Sequence, residues 1–164
     1  DVLVHTQMVV AEYVNLVDRR NIGWTWADVL GLLACVFHDV GKPLTAKSTS
    51  SGSVTCHNHE AVSATLFRQV AADMDKLSLQ DILSVEWMIR HHLPYGTAAY
   101  GKLQAIARGA VTVGVDAYTT MLWADQRGRI SDDTDAKYQA VQQWIDTSLS
   151  KGVASLFDID LTFT

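Results

Sequence analysis

Residues 29–43 read Val29-Leu30-Gly31-Leu32-Leu33-Ala34-Cys35-Val36-Phe37-His38-Asp39-Val40-Gly41-Lys42-Pro43. Nine unbroken apolar residues run straight into a histidine–aspartate pair. Apolar side chains on nearly every face predict a helix buried at the centre of a domain. Thr25 is its expected N-cap, with Asp28 in the first turn. Gly41 and Pro43 end it. Nine residues are too few to span a bilayer.

Such a helix needs others around it, and the flanking sequence supplies them. Val4, Met8, Ala11, Val14 and Val17 repeat at helical spacing over Val2 to Val17, and Asn21-Ile22-Gly23 breaks that pattern. Thr45 to Thr55 is a Ser/Thr/Gly-rich loop, long enough to close over a ligand. Further helices are expected from His59 to about Met74 and from Leu79 to His91, the latter entered by Ser78. Pro94 to Gly101 reads as a loop, Leu103 to Ala110 as a short helix and Val115 to Arg127 as a strong one. Ser131 to Leu149 is an amphipathic helix opened by Asp132 and Asp133. The sum is one all-α domain, a helical bundle over residues 1–164. Leu156 to Thr164 alternates like a strand and reads as an irregular or strand-like tail. Its Asp158-x-Asp160-x-Thr162 spacing resembles a haloacid-dehalogenase nucleophile motif, without the parallel α/β domain that motif requires.

Composition sets bounds on function. The 164 residues are 48% hydrophobic and 19% charged, which excludes general disorder. Two cysteines are too few for a disulfide scaffold, and no C-x-x-C zinc site is present. Free thiols and a cytoplasmic setting follow as the expectation. The net charge of −5 argues against a broad basic face for nucleic acid, though not against a small phosphate pocket. No basic, apolar leader opens the chain, which begins at Asp1, as a piece of a longer protein would.

The histidines carry the chemistry. All six precede residue 93, and five fall in three clusters: His38 beside Asp39, His57 near His59, and His91 beside His92. His5 stands on the first helix. Asp125 sits in the apolar stretch Met121-Leu122-Trp123-Ala124-Asp125. Each has an ordinary alternative. A lone histidine is usually structural, a His-His pair suits a helix C-terminus, and Asp125 can pair with Arg129 one turn on. Together they fit a site built from facing helices, with nitrogen and carboxylate donors suited to Mn, Fe, Co, Ni or Zn. A divalent ion lowers the pKa of its bound water toward ~7. Lys42 and a histidine of the 91/92 pair can neutralise charge on a phosphate, and a protonated histidine can protonate a leaving oxygen. Lys42 also reads as a surface lysine at a helix end. Arg127 and Arg129 fit either a phosphate or a structural lock on Asp125. Tyr95 and Tyr100 can stack on a base or simply pack.

The order His5, His38-Asp39, Asp125 on an all-α chain resembles the HD-domain metal-dependent phosphohydrolase superfamily. His5-Thr6-Gln7-Met8-Val9-Val10, Phe37-His38-Asp39-Val40-Gly41-Lys42-Pro43, His57-Asn58-His59-Glu60 and Ala124-Asp125-Gln126-Arg127-Gly128-Arg129 look most like two branches. One is the HD domain of bacterial CCA-adding enzymes; the other is the HD domain of polynucleotide-kinase RNA-repair proteins of bacteria and phage. The resemblance implies His5, His38, Asp39 and Asp125 as the defining ligands, with His59, His91 and His92 as further ligands of one or two ions. It implies Asp39, Lys42, His59, His91 and His92 as the catalytic set. Lys42 stands where some nucleotidase branches place a glutamate. His92 is followed by Leu93-Pro94-Tyr95-Gly96 rather than by a diguanylate-phosphodiesterase signature. The implied activity is hydrolysis of 2′,3′-cyclic, 2′- or 3′-phosphate esters on a nucleotide or RNA 3′ end. It carries an association with a kinase or nucleotidyltransferase domain and no membrane partner. A 5′-nucleotidase or dNTP hydrolase is the alternative within the superfamily. A non-catalytic metal-binding interaction domain is the alternative outside it.

Overall fold

The computed structural model describes residues 1–95 and 100–161, with the side chains of residues 100, 101 and 158–161 excepted. The architecture is the expected all-α bundle. Helix α1 spans Val2–Arg19, α2 Trp26–Phe37, α4 His59–Ala71, α5 Leu79–Arg90, α6 Tyr100–Val113 and α7 Val115–Arg127. A single turn, α3 (Lys42–Thr45), follows α2 directly. Pro43 sits in that first turn, where its missing N–H costs nothing, so it opens a new turn as well as closing α2.

The central helix is where its composition puts it. Helix α2 packs on α1, α5 and α7, and buries Leu30, Gly31, Ala34 and Cys35. Its start is a capping box. The Thr25 hydroxyl accepts from the Asp28 N–H at 3.2 Å, and Asp28 Oδ2 accepts from the Thr25 N–H at 2.9 Å. Arg20 closes the same cap by donating to Asp28 Oδ1 at 2.8 Å. Ser78 and Asp81 repeat the device at the head of α5. Both cysteines are free, and Cys35 is buried.

Five expectations need correction. The Ser/Thr-rich loop contains a minimal antiparallel hairpin, β1 (Lys47–Ser48) against β2 (Val54–Thr55). Its turn hydroxyls, Thr49, Ser51 and Ser53, bond to one another, and Gly52 supplies a left-handed φ of +82°. Helix α6 is longer than the short segment expected, running from Tyr100 to Val113. The final helix starts at Thr134, because Ser131 turns its hydroxyl to Asp133 Oδ1 and its carbonyl to Thr134.

That helix also does not stop at Leu149. Segment α8 (Thr134–Trp144) passes through a π-helical turn at Ile145–Leu149 into α9 (Ser150–Leu161). The strand-like reading of Leu156 to Leu161 is therefore overturned. Alternation over so short a run does not distinguish strand from helix. Leu149, Val153 and Leu156 instead form a helical stripe against the core. The side chains of Asp158, Asp160 and Thr162 lie outside the described residues. No helix among the described residues is long and apolar enough to cross a membrane.

Candidate metal centre

Five helix ends converge on one buried point. His5 comes from the first turn of α1, and His38 and Asp39 from the end of α2. His59 opens α4, His92 follows the end of α5, and Asp125 lies in the last turn of α7. His38, Asp39, His59, His92 and Asp125 are buried, and His5 is partly exposed.

Asp39 sits at the hub with one oxygen toward each of two groups of donors. Its Oδ2 lies 3.5 Å from His5 Nε2 and 3.4 Å from His38 Nε2. Its Oδ1 lies 3.1 Å from His59 Nε2 and 3.6 Å from His92 Nε2. Asp125 Oδ1 completes the first side, 2.9 Å from His5 Nε2 and 3.4 Å from His38 Nε2. The sets His5–His38–Asp39 and Asp39–His59–His92 each hold their donor atoms within 4.8 Å of one another.

The backbone fixes which nitrogen each ring presents. His5 Nδ1–H donates to the Gly128 carbonyl at 2.7 Å, His38 to Cys35 at 2.7 Å, His59 to Cys56 at 2.8 Å and His92 to Ile89 at 2.7 Å. A carbonyl only accepts, so each Nδ1 carries the proton and each neutral ring turns its Nε2 lone pair inward. His5 and His38 then face each other at 3.3 Å, and His59 and His92 at 3.2 Å. Two inward nitrogens that close need a cation between them, either a proton or a metal ion. Asp39 Oδ1 is buried and accepts no well-directed hydrogen bond among the described residues. An orphaned carboxylate oxygen beside inward imidazole nitrogens fits divalent transition ions, one per group.

The electrostatics agree. Burial alone would raise the Asp39 pKa, but His38, His59 and His92 outweigh it and hold the carboxyl well below its ordinary range. Asp125 is held low against burial in the same way by His38, His5 and Arg129. Burial disfavours a charged His38, yet the Asp125 and Asp39 carboxylates raise its pKa to about 9. The pocket is thus set up for positive charge.

Two glycines let the frame close. A Cβ on Gly41, the N-cap of α3, would meet the His59 carbonyl at 2.6 Å and the Ser63 N at 2.8 Å, so the turn after α2 packs on α4 only because that side chain is absent. A Cβ on Gly128 would meet Val9 N at 2.8 Å, where α7 ends against α1.

Other expected residues fall elsewhere. Lys42 Nζ bonds to Asp39 Oδ2, at the edge of the centre. His91 is not brought into either group. Its Nδ1–H bonds to the Trp87 carbonyl at 2.8 Å, its ring stacks on the Trp87 indole at 4.4 Å, and burial lowers its pKa. His91 is the C-cap of α5 and stays on its last turn, whereas His92 follows it into the centre. His57 is exposed. Arg129 grips Asp125 through both carboxylate oxygens at 3.2 and 3.3 Å, the locking role. Arg127 lies over the Tyr138 ring at 4.3 Å, away from the centre. Tyr95 packs edge-on to Trp144 at 5.8 Å, and the Tyr100 side chain lies outside the described residues.

A cleft of about 460 Å³ opens onto the first group only. Its lining combines His5, Asp39 and Lys42 with the apolar Val4, Met8 and Ile130 and with Arg129, Ser131 and Lys137. The volume suits a small-molecule ligand.

Comparison with known families gives one match: the HD domain, over residues 21–137. That span holds His38, Asp39, His59, His92 and Asp125, and begins after His5. No curated protein and no solved structure matches the chain.

Proposed function

The chain belongs to the HD domain family, a family of metal-dependent phosphohydrolases, and on that premise we propose that it hydrolyses phosphate esters on nucleotides or RNA 3′ ends. The observation that carries the proposal is Asp39, shared between two donor groups, one of which opens onto a cleft with three cationic side chains.

His5, His38, Asp39 and Asp125 would hold one divalent ion, and Asp39, His59 and His92 a second. Mn, Fe, Co, Ni and Zn all match these donors. Such an ion supplies a Lewis acid and lowers the pKa of water toward ~7. The chain's own residues do the rest. Asp39 is kept ionised by its histidines. The four Nδ1–carbonyl bonds fix ring orientation before any ligand arrives, so little reorganisation is needed. Lys42, in the cleft lining, supports neutralisation of the phosphoryl oxygens. Burial of His59 and His92 keeps water from their side of the centre.

The ester type follows from the likeness to RNA-repair and CCA-adding branches, and Lys42 in place of a glutamate disfavours the 5′-nucleotidase alternative. The corresponding partners are a nucleotide or RNA 3′ end and an associated kinase or nucleotidyltransferase domain, in the cytoplasm of a bacterial or phage-infected cell.

The test is a substrate panel with metal-stripped protein reloaded separately with Mn, Co, Ni or Zn. It contains a 2′,3′-cyclic nucleotide, 2′- and 3′-nucleoside phosphates, a 5′-monophosphate and a dNTP. Turnover of the cyclic, 2′ or 3′ substrates is expected, and its loss in Asp39→Asn. Turnover of 5′ species alone would move the chain to the nucleotidase branch. Silence with every metal would leave a non-catalytic metal-binding domain.

A further inference from the structure

The cleft has a second cationic group that the chemistry above does not use. One part of its lining is a bonded unit: Lys42 on Asp39, Asp39 near His5, and His5 on Asp125. Another part of the lining is built separately, from the residues after α7 and the first turn of α8. There Ser131 Oγ donates to Asp133 Oδ1 at 2.6 Å, and Lys137 Nζ reaches Asp133 Oδ2 at 2.8 Å. Among the described residues, neither Ser131 nor Lys137 bonds to a side chain of the two donor groups. Both line the cleft, whereas Asp133 does not. Asp133 and Lys137 are about half exposed, and a lysine–carboxylate pair that open is weak. Its lysine is available to a stronger anion. Arg129 stands beside them, already oriented by Asp125. Ile130, 86% exposed, lines the same cleft and adds an apolar face where a solvated loop would ordinarily carry a polar residue.

We propose that Lys137 and Ser131, with Arg129, form a second anion subsite that selects substrates carrying a phosphate besides the one hydrolysed. The ligand class is a nucleotide with phosphate groups on two positions of its sugar. The end of an RNA chain has this form, with a terminal phosphate and an internucleotide diester on the same ribose. Lys42 and the metal ligands would face the first group, Lys137 and Ser131 the second, and Val4, Met8 and Ile130 the apolar part of the ligand. This specificity rests on the phosphohydrolase reading for its meaning, but not for its test.

The test is calorimetric binding of adenosine 3′,5′-bisphosphate and adenosine 3′-monophosphate at one fixed salt concentration. The intact protein should bind the bisphosphate roughly tenfold more tightly, the scale of one charge-assisted hydrogen bond. Lys137→Ala should bring the ratio toward one, with its fold checked by circular dichroism. Lys151→Ala, an exposed lysine of α9 outside the cleft, should keep the ratio. A ratio near one in the intact protein overturns the subsite, as does a ratio that survives Lys137→Ala. Because binding is read without turnover, an inert protein that still prefers the bisphosphate retains the subsite while the hydrolase reading falls. A protein that turns over phosphate esters with a ratio of one loses the subsite alone.

Discussion

Replacing Gly128 by alanine adds one methyl group at a position that touches no donor atom, yet it should disable the centre. The backbone there is at φ −73°, which alanine adopts freely, so the effect is steric. The new Cβ would lie 2.5 Å from Val9 Cγ2, 2.8 Å from Val9 N and 2.9 Å from Val9 Cα. Apolar carbons rest about 3.5–4.0 Å apart, so α1 must retreat from α7 by roughly 0.6–1 Å. Two of the three obstructing atoms are backbone, which no rotamer change can move. His5 lies one turn before Val9 on the same helix, and its Nδ1–H is held by the Gly128 carbonyl at 2.7 Å. The retreat takes that bond beyond hydrogen-bonding range. Overpacking costs about 1–3 kcal/mol and the lost bond about 1 more, so Gly128→Ala should lose ~2–4 kcal/mol in urea unfolding. Losing the partner that orients a ligating histidine should weaken metal affinity roughly 10–100-fold, read by competition with a chelator. Stability within about 0.5 kcal/mol of the parent, with unchanged metal affinity, would refute the contact between α1 and α7 as the frame of the centre.

Asp39→Asn should reduce bound metal to near zero after dialysis, measured by elemental analysis, because both donor groups share that carboxylate; retention of either ion at full affinity would contradict the shared hub. His92→Ala should lose metal while His91→Ala keeps the full complement, and equal losses would mean that the Trp87 stack does not hold His91 out of the centre. Asp28→Asn should cost about 1–2 kcal/mol at pH 7 through the α2 cap. Burial opposes ionisation of Asp28, but the Thr25 N–H, the Thr25 hydroxyl and Arg20 win and depress its pKa. Its contribution is therefore fully present above the unfolded value of about 3.9, and is lost as pH falls through the lower folded value. Urea titrations of parent and variant should converge in that acid window, and a gap that stays constant down through it would exclude Asp28 as the titrating group.

The parts that could be read from residues alone were those whose signal is local. Thr25 with Asp28 and Ser78 with Asp81 are capping boxes written into four consecutive residues, and both form. His5, His38, Asp39 and Asp125 each have an ordinary alternative alone, and it is their order along the chain, through its resemblance to the HD superfamily, that groups them. The choice of His92 over His91 was not local. It depends on the angle at which α5 ends against α4, and adjacent residues offer identical chemistry to a sequence reading. Gly41 and Gly128 gave no signal beyond helix punctuation, although each is a contact point between helices. The carbonyls of Cys35, Cys56, Ile89 and Gly128, which set the ring tautomers, are invisible in any sequence because every residue has one. Lys137 carries no signal in the sequence, and only the fold brings it into the same cleft as Lys42. The tail misled because alternation was judged over too few residues, where strand and helix share the same apolar pattern.

The π-helical turn at Ile145–Leu149 acts as a phase corrector in the last helix. Val141, Ile145 and Leu149 are buried at intervals of four residues. In a regular α-helix two such steps drift by about 80° around the axis. The Ser150 N–H reaches back five residues to the Ile145 carbonyl, and the wider turn absorbs that drift. One rod can thus face α7 over its first half and α6 over its second. Such a turn is equivalent to one residue inserted into the helical count. Deleting one residue there would close the turn into an ordinary α-helix and leave the second half in phase, with Val153 and Leu156 still toward the core, whereas forcing a regular α-helix at full length would rotate that half by about 100°. The segment is the point in the chain where one residue of length can be lost without a change of direction.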